Sequence, residues 1–436
     1  MINLDLNVSS IMNENKLTLS FIYQLKYLFF QMFLTTRPAI RIKQFIEKCT
    51  PDWFNFGQQQ DSSEYLIYLL DNLNEELKRL KSSEVDELSE KNGHEHSSAT
   101  LLEKLFNFKL STECVCFNCK TKTVRNDDLN YILPLSFPQQ TSEQSPTDLQ
   151  ELIDNYFKCE ELNAQENNLY SCNNCKSLQT AHKTIKLVGE IDNNNNKFSL
   201  PTYQILTLNR FQYERVATAN EVKHVKMMQQ LNYNQIIRQN AFKPSSNLIE
   251  SESVFYRLIS ICIHSGSSLH HGHYYSYIID HDDRQIQNDV ANKPWLLAND
   301  EQLSPISYEN LIQNLNKFKT DTPYLLVYEK ITKATSVAAV STDGESSLSL
   351  GEFNQNNILN KTIVDLIGKD NKLHEKEYEQ AKLKHGKNKN NNASSSSIIY
   401  SNYRNNDDSD DGSGSNEPPD YCNNNSHMND GPNFVF

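Results

Sequence analysis

The chain is predicted to adopt an α+β fold, and three observations carry that expectation. Helical periodicity dominates before about Leu80, and strand-like alternation recurs between about residues 105 and 331. After about Ala334 the composition shifts to Asn, Ser, Asp and Lys. A chain of 436 residues can bury a sizeable core in one large or two ordinary domains. The expected division is a globular part over residues 1–331 and a disordered, low-complexity C-terminal tail over 332–436, which cannot bury enough apolar surface to offset its chain entropy. Within that tail, ILNKTIVDLIGKDNKLHEKEYEQAKLKHG could form one amphipathic helix at about 358–387.

Taken in order, the first element is a helix in which Phe21, Ile22, Leu25, Phe29 and Phe33 recur at helical spacing. Gln24, Lys26 and Gln31 interrupt it, so it reads as a buried helix and not as a membrane span. RPAIRIKQFIEKCTPDW predicts a second short helix ending near Pro51, with Cys49 as a packing residue. A third helix carries Leu66, Leu69, Leu70, Leu73 and Leu77 on one face. Asp61 and Glu64 stand at its start in the form of a capping box, which does not account for the three glutamines that precede it. A polar loop is expected near Ser82–Ser98.

Strand signals follow. Cys116 and Cys119 form one Cys-x-x-Cys, Cys172 and Cys175 form another, and the residues between them are strand-rich. Each such turn presents two thiolates about one tetrahedral edge apart, and four close a coordination sphere, so the pattern points to a structural Zn2+. A redox pair and coincidence are the alternatives. Cys114, Cys159 and Cys262 fall outside the pattern. TYQILTLNRFQYE reads as a buried strand, a polar insert spans about Glu214–Asn247, and PYLLVYEK reads as the last strand.

The stretch Val254–Asp300 reads as an antiparallel meander. In that arrangement the first residue of the second strand lies near the last of the third, so His273 and Asn299 should be neighbours. An amide oxygen that accepts from one imidazole nitrogen leaves the other free to take a proton, which makes His273 a candidate general base. Gly272 allows another backbone, such as a substrate tail, to approach closely. His264, His270 and His271 read as solvated or packed residues.

The formal net charge of −13 argues against general affinity for nucleic-acid phosphates and suits a basic protein partner. No nucleic-acid or membrane partner is expected. Nine cysteines, an odd number with no cationic-then-apolar leader, suggest a reducing compartment, either cytosol or nucleus.

Together QQDSSEYLIYLL, the paired Cys-x-x-Cys motifs, YQILTLNRF, HSGSSLHHGHYYSYI, WLLAND and PYLLVYEK occur in an order that resembles the ubiquitin-specific proteases, over about residues 20–331. The resemblance implies a papain-like hand with a helical thumb, a mixed palm and zinc-bearing β fingers at about 105–200. It implies that His273 is the base, Asn299 its orienting partner and Asp300 a supporting polar group. It further implies that Gln59, Asp61 and Glu64 line the channel for the C-terminal tail of ubiquitin, and that Cys116, Cys119, Cys172 and Cys175 hold Zn2+ in fingers that grip ubiquitin. Ubiquitin and ubiquitinated proteins are the implied partners.

The family's nucleophile lies in a Gly/Asn-rich box upstream of these motifs, and MINLDLNVSSIMNENK contains no cysteine. The chain therefore reads as an N-terminally truncated catalytic domain, inactive as it stands unless an upstream segment supplies the thiol. The alternatives are a catalytically silent ubiquitin-binding module and a zinc-stabilised scaffold without a ubiquitin role.

Overall fold

A computed structural model describes residues 20–40, 42–55, 58–88, 99–137, 147–192, 197–215, 222–243, 251–268, 271–280, 294–331 and 358–388. The N-terminal part is helical, as the spacing of its apolar residues requires. Helix α1 (Phe21–Leu34) is capped by Ser20, whose Oγ accepts from the Tyr23 amide. Helix α2 (Lys43–Cys49) buries Ile46 and Cys49. Helix α3 (Ser62–Leu88) buries Leu70, Leu73, Leu77 and Leu80 along one stripe. The polar loop expected from Ser82 does not begin there, because KSSEVDEL continues α3 to Leu88 before residues 89–98, which lie outside the described set. A short helix, α4 (Leu101–Phe106), has a complete capping box between Thr100 and Glu103.

The rest of the chain builds sheet. In order the main strands are β1 (Phe108–Cys116), β2 (Lys122–Asn130), β3 (Ile132–Ser136), β4 (Glu160–Leu162), β5 (Tyr170–Cys172), β6 (Ser177–Gln179), β7 (Ala181–Val188), β8 (Tyr203–Asn209) and β9 (Phe211–Arg215). They continue with β10 (Val222–Lys226), β11 (Ile236–Phe242), β12 (Ser251–Ser265), β13 (His273–Ile279), β14 (Trp295–Asn299), β15 (Gln302–Ile306) and β16 (Asp321–Lys330). Helix α5 (Leu149–Tyr156) falls between β3 and β4, and α6 (Tyr308–Lys317) between β15 and β16. The polar insert expected over 214–247 thus contains β10 and β11. Their polar side chains hid two strands whose buried positions are Lys226, Ile237, Gln239 and Ala241.

The large sheet runs β15-β14-β13-β12-β11-β7-β1-β2, with β16 also on β12, β8 on β16, β3 parallel to β8, and β4 on β7. The inner strands are buried on both faces. Adjacent residues Ile205/Leu206, Leu325/Leu326 and Ile132/Leu133 point to opposite sides, the first of each pair into the helical cluster and the second into the palm core. This is why those strands read as unbroken apolar runs.

The helix expected at about 358–387 within the polar tail forms, and it docks on the rest of the chain. Helix α7 (Ile358–Asn388) packs on α1, with Ile363 and Ile367 fully buried in the helical core. Arg37 forks onto Asp370, with Nε and Nη2 at 2.6 and 2.8 Å from its oxygens, and a third nitrogen reaches Glu377 at 3.1 Å. Asn371 closes the C-terminal end of α1 by donating to the Leu34 carbonyl and accepting from the Thr36 amide. A polar segment needs no core of its own when two isoleucines one turn apart can use an apolar face already present. Conversely, α1 is less buried than its composition suggests, since Phe29, Met32 and Phe33 are exposed. Among the described residues no helix is long and apolar enough to cross a membrane.

Candidate active site

The meander forms in the expected order. Strands β13 and β14 pair antiparallel from Ser276↔Ala298 to Ile279↔Trp295, which would put Asn299 opposite Tyr275 by continuation. His273 is two residues before Tyr275 and on the same face, so it meets Asn299 diagonally. Its Nε2 lies 2.6 Å from Asn299 Oδ1. With Nε2 carrying the proton, the amide oxygen fixes the tautomer in which Nδ1 bears a free lone pair. Asp300 Oδ2 stands 3.6 Å from the same Nε2 on a residue with φ of 50°. Its side chain is mostly exposed.

The three residues expected in a tail channel occupy different stations. Gln59 Nε2 donates to the carbonyl of Gly272 at 2.9 Å and so ties the loop before α3 to the residue preceding His273. Asp61 caps α3, with Oδ1 accepting from the amides of Ser63 and Glu64 at 2.7 and 3.1 Å. Its Oδ2 accepts from the Tyr324 hydroxyl, which joins the helix start to β16. Burial, then the Asp61 charge, raise the Tyr324 phenol above its ordinary range, so it stays protonated as a donor. Glu64 is exposed. The structure shows its amide bonded to Asp61 but no return bond from its side chain, so half of the expected capping box forms.

The close backbone approach expected at Gly272 is made by the Ser265 carbonyl, and a side chain stands closer still. A Cβ at that position would meet His264 Nε2 at 2.2 Å, so the room left by the missing side chain is already filled by a histidine ring. His264 is 2% exposed and packs against Phe211 and Tyr274. Burial and then the Lys226 charge lower its pKa to about 4, which keeps it neutral. His271 is exposed, and His270 lies outside the described residues.

The alternative thiols are poorly suited to nucleophilic work. Burial pushes Cys49 up to about 12 and Cys262 up to about 11. Cys159 is exposed, 3.2 Å from His182 Nδ1 on β7, away from His273 on β13.

The four cysteines of the paired motifs converge. Their Sγ atoms all lie within 4.8 Å of one another, with Cys116–Cys175 at 3.9 Å and Cys119–Cys172 at 3.5 Å. A tetrahedral Zn2+ with bonds of about 2.3 Å needs sulfur separations of roughly 3.8 Å, so the donor set fits such an ion. One turn closes the end of β1 and the other joins β5 to β6. Lys120 and Lys176, each directly after the second cysteine of its motif, both have φ of 58°. Their amides donate back to the carbonyls of Cys116 and Cys172 at 3.0 and 2.8 Å. The two turns are therefore built alike, and each points its thiols at the other.

Sequence reasoning passed over Lys226, Tyr324 and Asp321. A lone lysine in a polar insert and a tyrosine in an apolar strand carry no local signal, and only the folded sheet brings them beneath the meander.

A helical thumb, a mixed palm and four-cysteine β fingers together form the hand that the sequence led us to expect. The family model described as "Ubiquitin carboxyl-terminal hydrolase" matches residues 3–328, and the chain belongs to that family. Ubiquitin carboxyl-terminal hydrolase 13 of Saccharomyces cerevisiae is 26% identical over 281 residues, which are 63% of this chain and 32% of that protein. Ubiquitin carboxyl-terminal hydrolase 4 of Arabidopsis thaliana is 26% identical over 317 residues, covering 67% of this chain and 76% of the relative. For ubiquitin carboxyl-terminal hydrolase 35 of Homo sapiens the figures are 27% over 236 residues, 53% and 20%. The chain thus spans about a third of the length of the yeast relative, and about three quarters of the Arabidopsis one.

Proposed function

We propose that this domain takes the C-terminal tail of ubiquitin between the thumb and the palm and serves hydrolysis of the bond after the terminal glycine. The observation that carries the reading is the 2.6 Å bond from His273 Nε2 to Asn299 Oδ1, beside the Gln59–Gly272 bridge that joins thumb to palm. In this reaction His273 Nδ1 takes the proton of a cysteine thiol, and the thiolate adds to the carbonyl carbon of the ubiquitin glycine. The imidazolium, steadied by Asn299 and Asp300, returns its proton to the departing amine as the tetrahedral adduct collapses to a thioester. Water, deprotonated by the same imidazole, then releases the glycine carboxylate and restores the thiol.

No cysteine precedes Cys49 in the chain, and burial holds the Cys49 and Cys262 thiols protonated, so neither of these two is assigned the nucleophile's role in this scheme. The second reading is a ubiquitin-binding module without chemistry, and the protonated state of those two buried thiols suits it. Ubiquitin bearing an electrophilic C-terminus separates the two. A covalent adduct with protein expressed from its complete coding sequence supports the hydrolase. Measurable binding with neither adduct nor fluorophore release supports the silent module, and no binding at all removes both.

We assign Zn2+ to Cys116, Cys119, Cys172 and Cys175, where four thiolates close the ion's coordination and leave it a purely structural task. We also place the protein in a reducing compartment, cytosol or nucleus, with ubiquitin and ubiquitinated proteins as its partners.

A further inference from the structure

Lys226, at the end of β10, is 6% exposed, and among the described residues its tip forms no ion pair with a carboxylate, although the Asp321 charge acts on it. Its Nζ instead donates to three backbone carbonyls, those of His264 at 2.8 Å, Gly266 at 2.6 Å and Thr320 at 2.8 Å. Two of those carbonyls flank Ser265, and Ser265 is the ladder partner of His273. Ser265 is also the partner of Asp321 on the other side, where its Oγ donates to Asp321 Oδ1 at 2.6 Å. The Thr320 carbonyl receives the Gly266 amide as well, at 3.2 Å. Three carbonyl dipoles that converge in a buried place repel one another unless a cation stands between them. The lysine ammonium supplies that cation with three donors, one for each oxygen.

We propose that Lys226 is a positioning residue for His273: its ammonium ties the end of β12 to the start of β16 and so fixes the turn from which His273 emerges. The inference rests on the reading of His273 as a base. The return path over this turn is tight, since a Cβ on Gly272 would come within 2.8 Å of the Ser265 carbonyl as well as meeting the His264 ring. A small displacement of residues 264–266 therefore moves Gly272 and His273 directly and breaks the 2.6 Å bond to Asn299. Burial, then the Arg210 charge, lower the lysine's pKa to about 8 against the raising effect of the Asp321 charge, so Lys226 is still mostly an ammonium at pH 7.

The test reads the ring nitrogens of His273 by long-range 1H–15N correlation in the 15N-labelled full chain without ubiquitin, with His273→Gln identifying the signals. Native protein is expected to show one neutral tautomer, protonated at Nε2. Lys226→Ala is expected to turn it into a mixture of tautomers, and methylammonium, which can enter the vacated space, is expected to restore the single form. Sodium at the same ionic strength should not. A folded Lys226→Ala variant with an unchanged His273 signature overturns the proposal, and so does equal recovery with sodium. Lys226→Met, which keeps the aliphatic stem, guards against simple loss of packing. If both variants unfold and methylammonium recovers neither, the lysine holds the core and not the turn, and the proposal fails. Because ubiquitin takes no part, absence of ubiquitin binding would remove the proposed function and leave this result standing.

Discussion

At the scale of single residues, the chain places polar groups where each has more than one task. Asp61 caps α3 through one oxygen and holds Tyr324 through the other. Asp61→Ala should therefore cost about 1–2 kcal/mol in thermal unfolding, toward the upper end of a lost cap, and should weaken ubiquitin binding. Asp61→Asn keeps a capping oxygen and separates the two effects. His264 gives a pH dependence of known sign. Its folded pKa of about 4 lies below its unfolded value, so it is neutral in both states near pH 7 and contributes no penalty there. As pH falls from about 6.5 towards 4 the unfolded chain binds a proton that the folded one refuses, and stability drops by up to roughly 3 kcal/mol. Urea unfolding of His264→Gln should show a flatter acid limb, and an unchanged slope would contradict the assignment. The His273–Asn299 pairing was legible in the sequence because strand alternation and a short loop specify which residues share a rim. Gly272 was legible only as a place of close approach, since nothing local says that His264 fills it.

At the scale of elements, the fingers and α7 illustrate opposite dependences. The finger strands carry few buried apolar residues, so an ion shared by the two cysteine turns would supply an alignment that packing does not. Cys172→Ser should lower bound zinc from one equivalent to near none, with a loss of ubiquitin grip that spares the His273 environment; unchanged zinc by elemental analysis would contradict the site. Helix α7 needs no ion. Ile363 and Ile367 are buried against α1, so replacing both by Ala should cost on the order of 4–8 kcal/mol, or melt the helix from α1 outright. Circular dichroism and thermal melts of that double variant, beside a chain ending at Ile331, check whether the helical core includes this segment. Equal melting temperatures for all three would show that it does not. The helix itself was legible in the sequence, but its docking was not, because nothing local says which apolar face Ile363 and Ile367 will meet.

At the scale of the whole molecule, thumb and palm share β3, β8 and β16, whose alternate residues feed two separate cores. The candidate site sits along that seam, with Gln59 and Asp61 from one side meeting Gly272 and Tyr324 on the other. What the amino-acid order determined alone was whatever depends on short spacing: the helix stripes, the strand alternation, the meander and the two cysteine pairs. Periodicities of 3.6 and 2 are local properties, and a pair of thiols two residues apart is a ligand half-site in any setting. Only the tertiary structure decided that Lys226 lies beneath the His273 turn, that Tyr324 holds Asp61, and that a helix near the C-terminus closes the end of the first one. Those choices depend on which buried dipoles and apolar faces are left uncompensated once the sheet has formed, and that remainder is set by packing across hundreds of residues.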